Sequence, residues 1–258
     1  MNLKRIIITA DDFGWDGDTV AATITLLDKN YLSGASIMLG VPGTNDAIAY
    51  ARMRHDKCFG LHVVLGGDGI ERPISDPSDI KSLVDASGYF LQSNEIRKRA
   101  LLGRLCETSL IKEIRSQIIY ILDHGIRPQY LDSHGHLHKF PIIMSAFKAA
   151  ADEFGIKRVR MSQNIKVPIN SPSWFLSPYW NKKIRKQFQT TDYFFMPTSK
   201  FEDGWARWLA EYRWKGILEL GVHPGTNAEY RRKELLQLEH FHELMLGSDT
   251  EQITWRDI

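Results

Sequence analysis

Along the chain, short runs of branched apolar residues alternate with longer stretches whose apolar positions recur every three or four residues. "KRIIIT" (4–9), "GASIML" (34–39), "CFGLHVVL" (58–65) and "RPQYLD" (127–132) have the length and composition of strands. "KRVRMS" (157–162), "DYFFMP" (192–197) and "GILELGVH" (216–223) predict three more, and "QITW" (252–255) an eighth. Between them, 18–32, 45–54, 109–125 and 141–155 have helical spacing. Asp18 suits a helix start, Pro141 a first turn, and Gly125 and Gly155 helix ends. Residues 66–79 read as a long loop.

Strand–helix alternation predicts a parallel sheet with covering helices. Seven or eight such strands in one chain predict an irregular TIM-like (β/α) barrel, with residues 1–258 forming a single domain. The stretch 170–190, "NSPSWFLSPYWNKKIRKQFQT", breaks the rhythm and is expected as an aromatic, then basic, insertion over the barrel mouth.

Hydrophobic residues make up 43% and charged residues 25%, so a packed globule rather than a disordered chain is expected. A formal net charge of only +2 gives no reason to expect a nucleic-acid partner. Cys58 and Cys106 match no metal-binding spacing and read as buried, reduced thiols of a cytoplasmic protein. No apolar run approaches the ~18 residues of a membrane span, and the N-terminal apolar stretch is too short for a signal peptide. A peripheral membrane contact stays open.

Chemistry enters at the strand ends. The first strand runs into Asp11-Asp12, and the third carries His62. The fourth runs into "YLDSHGHLHKF" (130–140), where Asp132, His134, His136 and His138 occupy alternate positions. The strand at 216–223 ends on His223 before Pro224 and Gly225. Taken singly, each has an ordinary reading. An aspartate pair caps a helix, a histidine in an apolar strand is a hydrogen-bonded core residue, and a histidine before Pro-Gly belongs to a turn. In a parallel barrel, however, all strand C-termini emerge at one face, so these residues would converge there as a site. His240 and His242, on a terminal helical stretch, read as surface residues.

"TADDFG" (9–14), "FGLHVVL" (59–65), "LDSHGHLH" (131–138) and "LELGVHPG" (218–225) resemble, in order, the signature blocks of the YdjC-like carbohydrate deacetylases. The resemblance implies a barrel-like α/β fold, one divalent metal ion and hydrolysis of an N-acetyl group on an amino sugar. By position it implies Asp12, His62 and His134 as metal ligands, Asp11 as catalytic base and His223 as acid. Mg or Zn lead the candidates, with Mn, Co, Fe and Ni also compatible with mixed nitrogen and oxygen ligands. Family members commonly pair, so a homodimer is an expectation, although no interface is legible in the sequence.

These residue types suit amide hydrolysis. Two imidazoles and a carboxylate leave coordination positions open on a divalent ion. A second aspartate beside the ligand is free to accept a proton, and the departing amine needs an acid. Alternation puts Glu219 on the same strand face as His223, where it would orient that ring. Asp132, two residues from His134, would orient His134. His136 and His138 are candidates for lining the sugar site or for an alternative acid. Trp174 and Trp180 of the insertion would stack on sugar rings. The basic residues that follow, Lys182, Lys183, Arg185 and Lys186, suit a phosphate or an anionic membrane; an amphipathic lid with a solvated basic face is the plainer account. Rival functions are another barrel metallohydrolase, such as a phosphoesterase or amidohydrolase, and a non-catalytic sugar-binding protein on the same scaffold.

Overall fold

The structure, a computed structural model, describes residues 4–165, 173–197, 201 and 203–258, with the side chains of 173–175 excepted. Seven strands occur among these residues: β1 (Lys4–Phe13), β2 (Gly34–Met38), β3 (Cys58–Val63), β4 (Leu131–Ser133), β5 (Tyr193–Phe195), β6 (Ile217–Val222) and β7 (Thr250–Gln252). They pair in parallel, in the order β4-β3-β2-β1-β6-β5, with β7 added to the start of β1. The central strands are buried along nearly their whole length, which is why they read as unbroken apolar runs.

The helices are α1 (Gly17–Asp28), α2 (Thr44–Met53), α3 (Ser93–Leu101), α4 (Glu107–Asp123), α5 (Pro141–Phe154), α6 (Ser173–Gln187), α7 (Trp205–Glu211) and α8 (Glu229–Met245). Helix α4 buries Leu110, Ile114, Ile118 and Ile121 on one face, as its spacing requires. Helix α1 starts on a capping box in which Asp16 and Thr19 satisfy each other's backbone N–H groups. None of the described helices is long and apolar enough to cross a membrane.

Of the expected irregular barrel, the described residues show a curled half-barrel sheet whose main path has six parallel strands, with β7 paired beside β1. Residues 157–162 do not form a ladder strand. They make only isolated bridges, Leu131–Val159 on one side and Arg158–Gln189 on the other. Beyond them side-chain amides replace a neighbouring strand. Asn181 accepts from Ser162 N at 2.8 Å and donates to Ser162 O at 2.9 Å, while Asn164 Oδ1 accepts from Phe194 N at 2.9 Å. A side-chain amide satisfies a backbone as well as a strand does, but it does not propagate a sheet.

The insertion is helix α6. Its Trp180 is buried against Phe140, with the Lys139 ammonium 5.1 Å from its ring. Cys58 is buried as expected, but Cys106 is exposed, because it precedes the first turn of α4 instead of lying in it. His242 is partly buried: its Nε2 meets Tyr31 O at 2.7 Å and its ring stacks on Tyr31.

Candidate active site

The C-terminal ends of β1, β3, β4 and β6 open onto one cleft of about 390 Å³, within the ~300–1,000 Å³ typical of small-molecule sites. Asp11, Asp12, His62, His134, His136 and His223 line it, together with Asp68, Arg97, Met196 and Tyr230. A larger cavity of about 470 Å³ lies beside α6, lined by Gln163, Asn164, Ser177, Asn181, Lys182 and Arg185 among others. Among the described residues its lining holds no carboxylate or imidazole, whereas the smaller cleft gathers both.

Two successive aspartates on a regular strand would face opposite ways. Here the β1–β2 register shifts between Ala10 and Phe13, and Asp12 adopts φ 56°. A short acidic side chain tolerates that left-handed conformation better than most. The irregularity turns both carboxylates toward the cleft. Asp12 Oδ1 then lies 3.3 Å from His62 Nε2 and 3.1 Å from His134 Nδ1, and its Oδ2 accepts from Arg231 Nη2 at 2.7 Å. The three ligand atoms fall within 4.8 Å of one another.

One carboxylate and two imidazoles around a single point form a donor set that fits one divalent ion. Two other groupings lie nearby, Asp11–His62–Asp132 and Asp68–Glu71–His134. In each, a member is already committed. Asp132 accepts from His62, Ser36 and Arg160, and Glu71 accepts from the backbone N–H groups of Asp68, Gly69 and Ile70.

The electrostatics agree with this geometry. Burial raises the Asp12 pKa, but the bonds to His134 and His62 outweigh it and hold the group well below the usual carboxylate range. Burial disfavours a charged His62, yet the Asp132 and Asp12 carboxylates override it and lift the imidazole to about 10. His134 rises to about 9 against its burial through Asp12 and Asp68. Ligation requires neutral imidazoles, so cation binding there displaces these protons.

Asp132 orients His62 rather than His134: the β3–β4 register places His62 opposite Asp132, and the ring Nδ1–H donates to Oδ1 at 2.9 Å. His134 lies past the end of β4 and turns toward Asp12, with Trp15 stacked on it at 5.9 Å. Glu219 does not reach His223. It accepts from Arg160 Nε at 2.8 Å, deep in the sheet beside Ile7. The partner of His223 is Glu234 of α8, which accepts from the His223 backbone N–H at 2.7 Å and lies 3.3 Å from ring Nδ1. Burial opposes a charge on His223, and the Glu234 carboxylate outweighs it, so the pKa is raised.

His136 lines the cleft, with Nε2 3.2 Å from Met196 Sδ. His138 does not line it. This residue is fully buried against Ser133 Oγ at 2.7 Å, and burial pushes it down to about 3. The Trp174 side chain lies outside the described residues, and Trp180 does not line the cleft. The aromatic faces at the site belong instead to Trp15 and Tyr230.

Arg160 was not expected. Its fully buried guanidinium meets Asp11 Oδ2 at 2.7 Å, Asp132 Oδ2 at 2.7 Å and Glu219 Oε1 at 2.8 Å. It fixes Asp11 by one oxygen and leaves Asp11 Oδ1 buried without a partner, facing the cleft. The signal in the sequence was an arginine alternating with apolar residues in "RVRM" (158–161).

A family model described as YdjC-like protein matches residues 5–252. The chain belongs to the YdjC-like family. Curated relatives named carbohydrate deacetylase include one from Thermoanaerobacter pseudethanolicus, 25% identical over 72% of this chain and 73% of the relative. Others come from Geobacillus stearothermophilus, 25% identical over 64% of each chain, and Xenopus laevis, 28% identical over 61% of this chain and 50% of the relative. The chain thus spans between half and three quarters of the length of these relatives. Among solved structures, a proposed cellobiose-phosphate cleavage protein from Enterococcus faecalis superposes with TM-score 0.78 at 18% identity, covering 99% of this chain and 98% of that one. A lactam utilization protein from Thermus thermophilus gives TM-score 0.52 at 12% identity, covering 97% and 99%. At these identities the structural likenesses concern the YdjC-like fold alone.

Proposed function

We propose that this YdjC-like protein is a metal-dependent hydrolase that removes the N-acetyl group from an amino sugar, free, oligomeric or carrier-linked, and releases acetate and a free amine. The observation that carries the reading is the meeting of Asp12, His62 and His134 in one cleft that Asp11 and His223 also line. The name shared by the curated relatives supports the same chemistry.

The ligand set would hold one divalent ion, which supplies Lewis acidity to an amide carbonyl and acidifies water. The chain's own residues do the rest. Asp11 Oδ1, with no competing donor, accepts a proton from the attacking water, a role typically worth about 10²–10⁴-fold. Arg160 holds that carboxylate in position through its other oxygen. His223, held in its charged form by Glu234, gives a proton to the departing amine. Trp15 and Tyr230 offer apolar faces to a sugar ring, and burial of the ligands excludes bulk water. A phosphoesterase with two or more metals would need a second free ligand cluster, and the neighbouring groupings are tied up internally.

The test is acetate release from a panel of N-acetylated sugars with Zn, Mn, Co, Ni and Mg in turn. Asp12→Ala and His134→Ala should lose bound metal by elemental analysis and turnover together. Wild-type activity that survives complete metal removal would overturn the reading.

A further inference from the structure

A buried line of hydrogen bonds reaches the candidate site from residues that do not line the cleft. His62 meets Asp12 through Nε2, and its Nδ1–H donates to Asp132 Oδ1 at 2.9 Å. The other oxygen, Asp132 Oδ2, accepts from Arg160 and from Ser36 Oγ at 2.8 Å. Ser36 Oγ in turn lies 3.0 Å from the Tyr130 hydroxyl. A serine hydroxyl has one proton, and the carboxylate takes it, so Tyr130 is the donor in that last bond. Ser36, Tyr130 and Asp132 are all fully buried.

The line crosses three strands. Tyr130 directly precedes β4, Ser36 belongs to β2, and β3 lies between them. Ser36 pairs with Gly60 of β3. A Cβ on Gly60 would fall 2.4 Å from the Tyr130 ring. The ring therefore lies over bare backbone, and that lets a side chain beside the edge strand reach two strands inward. Trp255, just past β7, stacks on the same ring at 4.7 Å and is itself buried. A phenylalanine would fill the same space, so packing does not account for the hydroxyl. Buried, that group is costly unless bonded, and its hydrogen bond among the described residues is the one to Ser36.

We infer that Tyr130 and Ser36 are positioning residues for His62, acting through Asp132. Each passes a donated bond toward the cleft, and the last one occupies Asp132 Oδ2. With both oxygens engaged the carboxylate plane is fixed, the proton of His62 stays on Nδ1, and Nε2 is left aimed at Asp12. The inference rests on the ligand set of the proposed function and not on its substrate.

Metal affinity, measured by competition with a chromophoric chelator beside thermal melts of the metal-free proteins, tests it. Ser36→Ala should weaken affinity about tenfold, and Tyr130→Phe, one bond further out, about threefold. Tyr130→Phe in the Ser36→Ala background should cost nothing more, because the link it acts through is gone. A purely structural role would lower the melting temperatures and leave the affinities unchanged or their losses additive. A second readout needs no metal. The Nδ1–H proton resonance of His62, identified by its loss in His62→Gln, should exchange with water faster in both variants than in the wild type. An affinity and an exchange rate that Tyr130→Phe leaves unmoved, or losses that add in the double variant, would overturn the inference. A wild type that binds no divalent ion would remove the metal reading, while faster exchange in the variants would still support the positioning of His62. Metal bound without acetate release from any sugar would remove the deacetylase reading alone.

Discussion

Replacing Glu219 by Gln tests how the buried charge beneath the site is balanced. One guanidinium, Arg160, faces three carboxylates, from Asp11, Asp132 and Glu219. Asp132 is pulled down to about 2 against its burial, by Arg160 and His62. Glu219 goes the other way, its burial lifting it from 4.5 to about 7 despite Arg160. That rise corresponds to about 3 kcal/mol of tighter proton binding in the fold. The sign follows from linkage. A carboxyl raised on folding contributes stability that is complete below about pH 4.5 and is lost as pH climbs through about 7. Gln mimics the protonated form without titrating. Its single oxygen can accept the Arg160 Nε–H that Oε1 accepts now, and Oε2 has no partner to lose. Urea unfolding of both proteins, in chelator to remove metal linkage, should therefore diverge with pH. The variant should gain about 3 kcal/mol on the wild type between pH 4.5 and pH 8, roughly 1 M in midpoint for a slope near 3 kcal/mol/M. Any fixed cost of the new amide cancels, because the readout is a trend. Curves that run parallel across this range would refute the charge accounting.

Two further outcomes follow from the partners of the site. Arg231→Met removes the 2.7 Å clamp on Asp12 Oδ2 and should weaken metal affinity about 10–100-fold, measured by competition with a chromophoric chelator. An unchanged affinity would mean that Asp12 needs no support. Glu234→Gln takes away the carboxylate that keeps His223 charged, so the descending alkaline limb of the kcat profile should move to lower pH. A limb that stays put would assign the acid elsewhere.

The sequence exposed the strand ends far better than what lies between them. Asp12, His62 and His134 were legible because parallel strands deliver their C-termini to one face whatever their order in the sheet. Partners across strands were harder. Asp132 is two residues from His134 in sequence but opposite His62 in register, and register is not written in a three-residue edge strand. Glu234 lies in "EYRRKELLQLEHFHELM", where one buried glutamate is indistinguishable from the solvated charges around it. Arg160 was missed because its burial depends on carboxylates from positions 11, 132 and 219 together. "KRVRMS" has strand composition, yet it makes only isolated bridges, to Leu131 on one side and Gln189 on the other, and past them one asparagine side chain, Asn181, takes both backbone groups of Ser162.

The sheet order has a bearing on how the molecule comes apart. β1 is flanked by β2, β6 and β7, whereas β4 is a three-residue edge. Amides at the centre of β1 should therefore be among the slowest to exchange with solvent, while the short β4 has fewer ladder bonds to hold it. The aspartates of the cleft are thus anchored to the most heavily paired strand and His134 to the least, so local opening near β4 would release His134 from Asp12 before the strand that carries Asp12 gives way.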